Sequence, residues 1–386
     1  MKLTFVSNAL TPHQIPLCEA YSNILGDDFT FVSAAEVTVE RKTIGWGIEA
    51  ADYEIRLYES SEAREKANAK IAEADVVILG SASDKIIKSH LKAKKLTFKY
   101  SERPYKRMLN VKTYPRAVLG TWLHFGRYQS APFYLLCASA YASADFAKFG
   151  TFKNRSFKWG YFPAMYEYDL DSLMAKKKSR TITWAARMID WKHPELAVEM
   201  ARRLRADGID FTLNMIGLGA METDVRESVK ALGLEGSVKL LGSMTPEEVR
   251  AYMEKSAVFL MTSDRQEGWG AVLNEAQNSA CAVLANSATG AAPYLIQDGE
   301  NGFLYSEKHL DDMYAKLKLL LLDSEKREAL GRAAYRSIHE HWNAENAAKR
   351  FLALAEHLLS GGDGRHLFAD GVCSVAEILD DGWYNR

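Results

Sequence analysis

The chain has 386 residues, is 47% hydrophobic and carries a formal net charge of −1. That length exceeds the roughly 250–300 residues one core sustains, so two domains are expected, and the near-neutral charge excludes a global basic field for nucleic acid. Cys18, Cys137, Cys281 and Cys373 are dispersed with no CxxC pair, which argues against a disulfide framework or zinc site and for a reducing, cytoplasmic setting.

The opening MKLTFVSNAL lacks the apolar core of a signal peptide, and no apolar run reaches the roughly 20 residues of a membrane span. Leu3–Val6 reads as a strand ending in Ser7-Asn8, followed by a helix from Gln14 to Leu25. Phe29–Ser33, Val76–Leu79, Leu96–Tyr100 and Phe133–Ser139 read as further strands, and Glu62–Glu73, Ser83–Ala93 and Ala142–Phe149 as helices. Short apolar runs alternating with helical periodicity predict a parallel sheet with crossover helices. The polar stretch Leu170–Arg180, with Lys176-Lys177-Lys178, is read as linker. The same grammar then restarts with strands at Thr181–Ala185, Phe211–Ile216, Val238–Leu241, Val258–Met261 and Ala282–Ala285. Helices are expected at Pro194–Asp207, Glu222–Leu232, after Thr245-Pro246-Glu247-Glu248, and at Ala271–Ser279. The predicted fold class is α/β, with two Rossmann-like domains bordering a cleft. The boundaries are 1–168, a linker at 169–180, a second domain at 181–340 and a helix with tail at 341–386.

Ligands of open parallel sheets sit beyond the carboxyl ends of the strands, so the chemistry is sought in the strand-end loops. The loop after Val258–Met261 carries Glu267-Gly268-Trp269-Gly270, and Glu275 lies in the first turns of the next helix. Glycines allow close backbone approach, and carboxylates accept hydrogen bonds from sugar and ribose hydroxyls. The alternative is a helix whose early acids merely suit its dipole. Arg187 and Lys192 follow Thr181–Ala185, where two cations suit a diphosphate or are simply solvated. Gly217 and Gly219 mark another strand end but lack a dinucleotide fingerprint.

From Arg187 and Lys192 through Ile216-Gly217-Leu218-Gly219, EGWGAVLNEA and DGENGFLY, the sequence resembles the retaining family-4 glycosyltransferases of the GT-B fold. The resemblance covers about Thr181 to Leu359. It implies that Glu267 contacts the donor sugar, Glu275 holds the ribose, and Arg187 and Lys192 bind the diphosphate. Arg187, Lys192 and Glu267 are thereby the catalytic set. Gly217, Ser243, Met244, Gly268, Trp269, Gly270, Ala271 and Val272 complete the donor site, Ser243-Met244 beside the base. The last long helix is expected to cross back to the first lobe. A departure is Gly290-Ala291-Ala292-Pro293-Tyr294, where the family often has a glutamate at the tyrosine position.

The first half resembles bacterial enzymes that assemble surface polysaccharides through YSERPYKR, CASAYASAD and KWGYFP. Its strand ends offer His13, Ser81, Glu102 and Arg103 as acceptor ligands, or as structural groups, with Glu102 and Arg103 forming an internal ion pair. A cationic stripe from Lys85 to Arg107 suggests weak association with the inner membrane surface, or else a solvated helix face. The implied activity is a metal-independent, retaining transfer of a hexosyl unit. It runs from a nucleotide-diphosphate sugar, with a UDP-sugar preferred, to a glycan or polyprenyl-linked acceptor, with no cofactor beyond the co-substrate and no nucleic acid partner. Rival readings are a nucleotide-sugar epimerase of similar architecture and a non-catalytic nucleotide-sugar-binding protein.

Overall fold

Strands such as Val76–Leu79 and Ser256–Met261 are buried at every position, so their side chains cannot alternate between core and water. Such strands belong to parallel sheets covered on both faces. The computed structural model describes residues 1–38, 49–107 and 111–385. Among these, the chain divides into two units, Met1–Ala164 with Trp342–Asp380, and Met165–His341 with Asp381–Arg386.

The first unit holds strands β1 (Leu3–Ser7), β2 (Phe29–Ser33), β3 (Glu54–Arg56), β4 (Val76–Leu79), β5 (Leu96–Ser101), β6 (Phe133–Cys137) and β7 (Ser156–Lys158). They pair in parallel in the order β3-β2-β1-β4-β5-β6-β7. The helix Ala344–Leu359, capped by Asn343, belongs to this unit although it lies late in the chain. Its Phe351 ring is fully buried, 4.9 Å from Phe98 and 5.7 Å from Tyr21. The following segment lies along β7: Lys158 N–H donates to Ser374 O at 2.8 Å, and Cys373 N–H to Lys158 O at 2.8 Å.

The second unit holds β8 (Lys178–Ala185), β9 (Thr212–Ile216), β10 (Val238–Leu240), β11 (Ser256–Met261), β12 (Ala282–Asn286) and β13 (Phe303–Tyr305). Their order, β10-β9-β8-β11-β12-β13, is the doubly wound pattern, with its switch point between β8 and β11. In the first sheet the corresponding pair is β1 and β4.

The expected linker, 169–180, is instead structure of the second unit. Asp169 caps a helix, Leu170–Ala175, whose Leu173 packs against Ala280 and Tyr335, and β8 begins at Lys178. The Lys177 ammonium donates to Met253 O (2.8 Å) and Ser279 O (2.5 Å), and burial lowers its pKa. The end of the chain also departs from expectation, since Asp381–Asn385 fall in the second unit, where Tyr384 bonds Asp298 and Lys316. The helix expected at Ser83–Ala93 is confined to Lys88–Lys92; upstream, buried Asp84 accepts from His124 (2.9 Å) and Arg127 (3.4 Å). Three short strands, β3, β7 and β13, and the helix Tyr114–His124 were not foreseen. A three-residue strand is too brief to display a period. Among the described residues no helix is long and apolar enough to cross a membrane.

Candidate functional site

The switch point of the second sheet brings together the loops after β8 and β11. After β8 the chain runs through Arg187 to a short turn at Asp190–Lys192, then through His193 in the left-handed region (φ 49°) to the helix Pro194–Ala206. Arg187 is exposed, stacks over Trp191 at 5.6 Å, and has no carboxylate partner among the described residues. Lys192 forms an ion pair with Glu267, whose side chain is only 16% exposed. The two groups read separately in the sequence, as a phosphate ligand and a sugar ligand, are thus each other's partner here.

His193 was missed. Its Nδ1 lies 2.7 Å from Glu195 and its Nε2 3.4 Å from Asp264. These carboxylates raise its pKa to about 10. Burial pushes the Asp264 carboxyl up, but its bonds with His193 and Gln266 outweigh that and hold it below its ordinary value. The only sequence hint was a histidine flanked by Lys192 and Pro194-Glu195. Two further bonds join the loops: Asp264 N–H donates to Trp191 O at 2.9 Å, and Thr262 Oγ to Lys192 O at 2.5 Å.

The glycines after β9 are explained by this loop. A Cβ on Gly217, which has φ +132°, would stand 1.9 Å from Ala186 O, and one on Gly219 would stand 2.2 Å from Met188 O. Gly217 and Gly219 therefore let the backbone of the Arg187 loop lie directly against β9's exit. Gly217 N–H in turn donates to Gly242 O at 2.7 Å, next to exposed Ser243 and half-buried Met244.

The Gly-Trp-Gly turn packs its aromatic ring inward. Trp269 is fully buried, and its indole N–H donates to Asn274 at 2.9 Å, so the ring is a core anchor and no ligand surface. Gly270, at φ +94°, leaves no room for a Cβ beside the Met261 side chain. Gly268 is likewise buried, while Ala271 and Val272 are half-buried at the start of the helix Val272–Asn278. The loop after β12 closes on the turn, with Gly290 N–H donating to Glu267 O (3.1 Å) and Ala291 N–H to Trp269 O (3.0 Å). The Tyr294 ring lies 6.4 Å from that of Trp269. The Glu275 carboxylate has no hydrogen-bond donor among the described residues; burial raises its pKa and Arg250 opposes that rise.

In the first unit, His13 and Ser81 follow β1 and β4, the switch-point strands of that sheet. The His13 ring stacks on Tyr161 at 6.0 Å, and burial lowers its pKa. Tyr161 OH donates to Glu102 at 2.7 Å, and Glu102 pairs with Lys106 at 2.6 Å. Ser81 Oγ sits 3.1 Å from Ser7 Oγ. Arg103 departs from the expectation of an acceptor ligand or a partner for Glu102. It is buried and held by Asp145 through two bonds, 2.9 and 3.1 Å, beneath Tyr141. The cationic stripe is broken as well: Lys99 is buried, with burial lowering its pKa to about 8, and Lys95 donates to Ala72 O and Ala74 O.

Residues 168–337 match the family model described as Glycosyl transferases group 1. The chain is 25% identical over 177 residues to WcaL of Salmonella typhimurium, a glycosyltransferase whose name places it in colanic acid biosynthesis; the match covers 44% of this chain and 43% of WcaL. It is 26% identical over 178 residues to the amylovoran biosynthesis glycosyltransferase AmsK of Erwinia amylovora, covering 45% of this chain and 44% of that one. The matched stretches thus span less than half of these relatives. Anabaena HepE, solved in complex with UDP, superposes with a TM-score of 0.65 at 15% identity over 93% of this chain and 100% of its own. Residues 168–337 are therefore a glycosyl transferases group 1 region within a chain of GT-B fold, similar to glycosyltransferases of colanic acid and amylovoran biosynthesis.

Proposed function

We propose that this protein is a retaining glycosyltransferase that moves a hexosyl unit from a nucleotide-diphosphate sugar, preferably a UDP-sugar, to a glycan or lipid-linked glycan acceptor in surface-polysaccharide biosynthesis. The observation that carries this reading is the convergence of Arg187, the Lys192–Glu267 pair and the carboxylate-bearing helix of Glu275 on the switch-point strands β8 and β11. Arg187 and Lys192 supply positive charge where a departing nucleotide diphosphate accumulates negative charge, which stabilises the transition state without a metal. Glu267 accepts hydrogen bonds from donor-sugar hydroxyls. Glu275, whose carboxylate receives no hydrogen bond among the described residues, accepts those of the ribose diol. The leaving phosphate oxygen takes the acceptor proton on the face it departs from, so configuration is retained. Acceptor ligands are placed at His13, Ser81 and Glu102, and Arg103 is withdrawn from that set.

Arg187→Ala tests the reading. It removes a charge-assisted contact to the leaving diphosphate, so kcat should fall about 100-fold or more with little change in thermal stability. Turnover of UDP-sugars and GDP-sugars by the wild type and the variant is the measurement. Turnover within a few-fold of the wild type would remove Arg187 from the reaction.

A further inference from the structure

The loop after β11 is tied to the loops after β8 and β12, and a further tie reaches it from the end of the chain. Up to Asp380, which pairs with Lys148 at 3.7 Å, the chain belongs to the first unit; from Asp381 it belongs to the second. Gly382, at φ 81°, takes a left-handed backbone that few residues adopt and leads into the single turn Trp383–Asn385. Before this turn, Asp381 accepts from the Arg265 guanidinium at 3.2 Å. Within it, Tyr384 OH donates to Asp298 at 2.7 Å, accepts from Lys316 at 2.7 Å and lies 3.0 Å from Leu304 O.

Chain ends fray unless something holds them. Here the hold is Tyr384. Lys316, on the helix Leu310–Leu322, stands 5.3 Å from the centre of its ring and also donates to Leu304 O on β13 at 2.7 Å. The segment therefore has a seat on the second unit that does not depend on Arg265, and from that seat it presents a carboxylate to the loop. Arg265 lies two positions before Glu267. Around it, Gln266 N–H donates to the Asp264 carboxylate at 2.7 Å and Glu267 N–H to Asp264 O at 3.0 Å. Residues 264–267 are thus one hydrogen-bonded turn, and a displacement of Arg265 is carried to Glu267. The Arg265 side chain is 23% exposed and that of Asp381 42%. A single ion pair this open to water contributes little stability, so what it fixes is position.

We infer that Asp381–Tyr384 is a positioning element of the donor site: Tyr384 seats the segment, and Asp381, through Arg265, sets the loop that carries Glu267. The inference rests on the proposed reading of Glu267 as a ligand of the donor sugar. Its effect falls on the sugar rather than the nucleotide, because Arg187 and Glu275 lie on other elements.

The test uses the full chain as wild type, as Asp381→Asn with Tyr384→Phe, and as the conservative Asp381→Glu. Hydrogen exchange of the amides of residues 262–267 reads the loop without turnover. It should quicken about threefold to tenfold in the paired variant and stay near the wild type in Asp381→Glu. The KM for UDP-glucose or GDP-mannose, whichever is turned over, should rise by a similar factor in the paired variant, with kcat less changed. Calorimetric binding of UDP or GDP alone should match the wild type, since neither carries a sugar for Glu267. All these positions lie at the surface of the second unit, so melting should change little. Unchanged exchange over 262–267 would overturn the inference. So would an equal loss of affinity for nucleoside diphosphate and nucleotide sugar, which marks general loosening. If the wild type neither binds nor turns over a nucleotide sugar, the transferase reading falls, while the exchange result still decides whether the segment sets the loop.

Discussion

Replacing His193 with asparagine tests how the two strand-end loops are held. Asparagine tolerates the left-handed backbone at this position, so the change removes the imidazolium without adding strain. In the folded chain the Asp264 and Glu195 hydrogen bonds raise the His193 pKa from 6.5 to about 10. Taken in full, that displacement is worth about 5 kcal/mol by linkage. Solvent screening at a half-buried site reduces it to about 1–3 kcal/mol. Because the folded value is the raised one, the stabilisation is complete below about pH 6.5. It fades above that pH and is gone once the pH passes about 10. Calorimetric melting of wild type and His193→Asn at pH 6.5 and pH 10.5 measures it. The variant should melt well below the wild type at the lower pH, and the gap should close at the higher. A gap of equal size at both pH values would refute the role of the charge, leaving only packing.

Gly217→Ala should destabilise the second unit by about 3 kcal/mol or more, since its Cβ meets Ala186 O on a backbone that alanine does not favour. A wild-type melting temperature would show that the Arg187 loop does not rest on this glycine. Arg103→Ala leaves Asp145 buried with its charge uncompensated and should cost about 3–5 kcal/mol in urea unfolding. Unchanged stability with a raised acceptor KM would instead return Arg103 to the acceptor site.

The parallel sheets were legible because their strands are unbroken apolar runs separated by helical periodicity, and that signal survives without tertiary knowledge. What escaped depends on partners distant in sequence. Lys192 and Glu267 are separated by 75 positions, and His193 and Asp264 by 71. Nothing local to either member announces the other. The same limit explains Lys177, which reads as one of three solvated lysines until the carbonyls of Met253 and Ser279 are brought to it. Arg103 read as a ligand because it follows β5 directly; Asp145, on the helix after β6, consumes it. Trp269 stands between two glycines in a loop, and nothing local shows that its ring fills the core and that its indole N–H bonds Asn274.

The Lys192–Glu267 pair changes how the proposed donor site divides its work. Lys192 and Glu267 are both largely buried and bond each other, so the two side chains hold one another in position ahead of any ligand. A diphosphate reaching this loop meets Arg187 first, because that guanidinium is exposed and bound to no carboxylate among the described residues. Lys192 must then be shared between phosphate and Glu267, and each increment of its charge drawn to phosphate frees Glu267 oxygens to accept from sugar hydroxyls. In the proposed site, phosphate binding and sugar binding would be coupled through this one ion pair, so a nucleoside diphosphate alone should engage it less completely than the full nucleotide sugar. Arg187 and Glu275 lie outside the pair and contribute to both ligands alike.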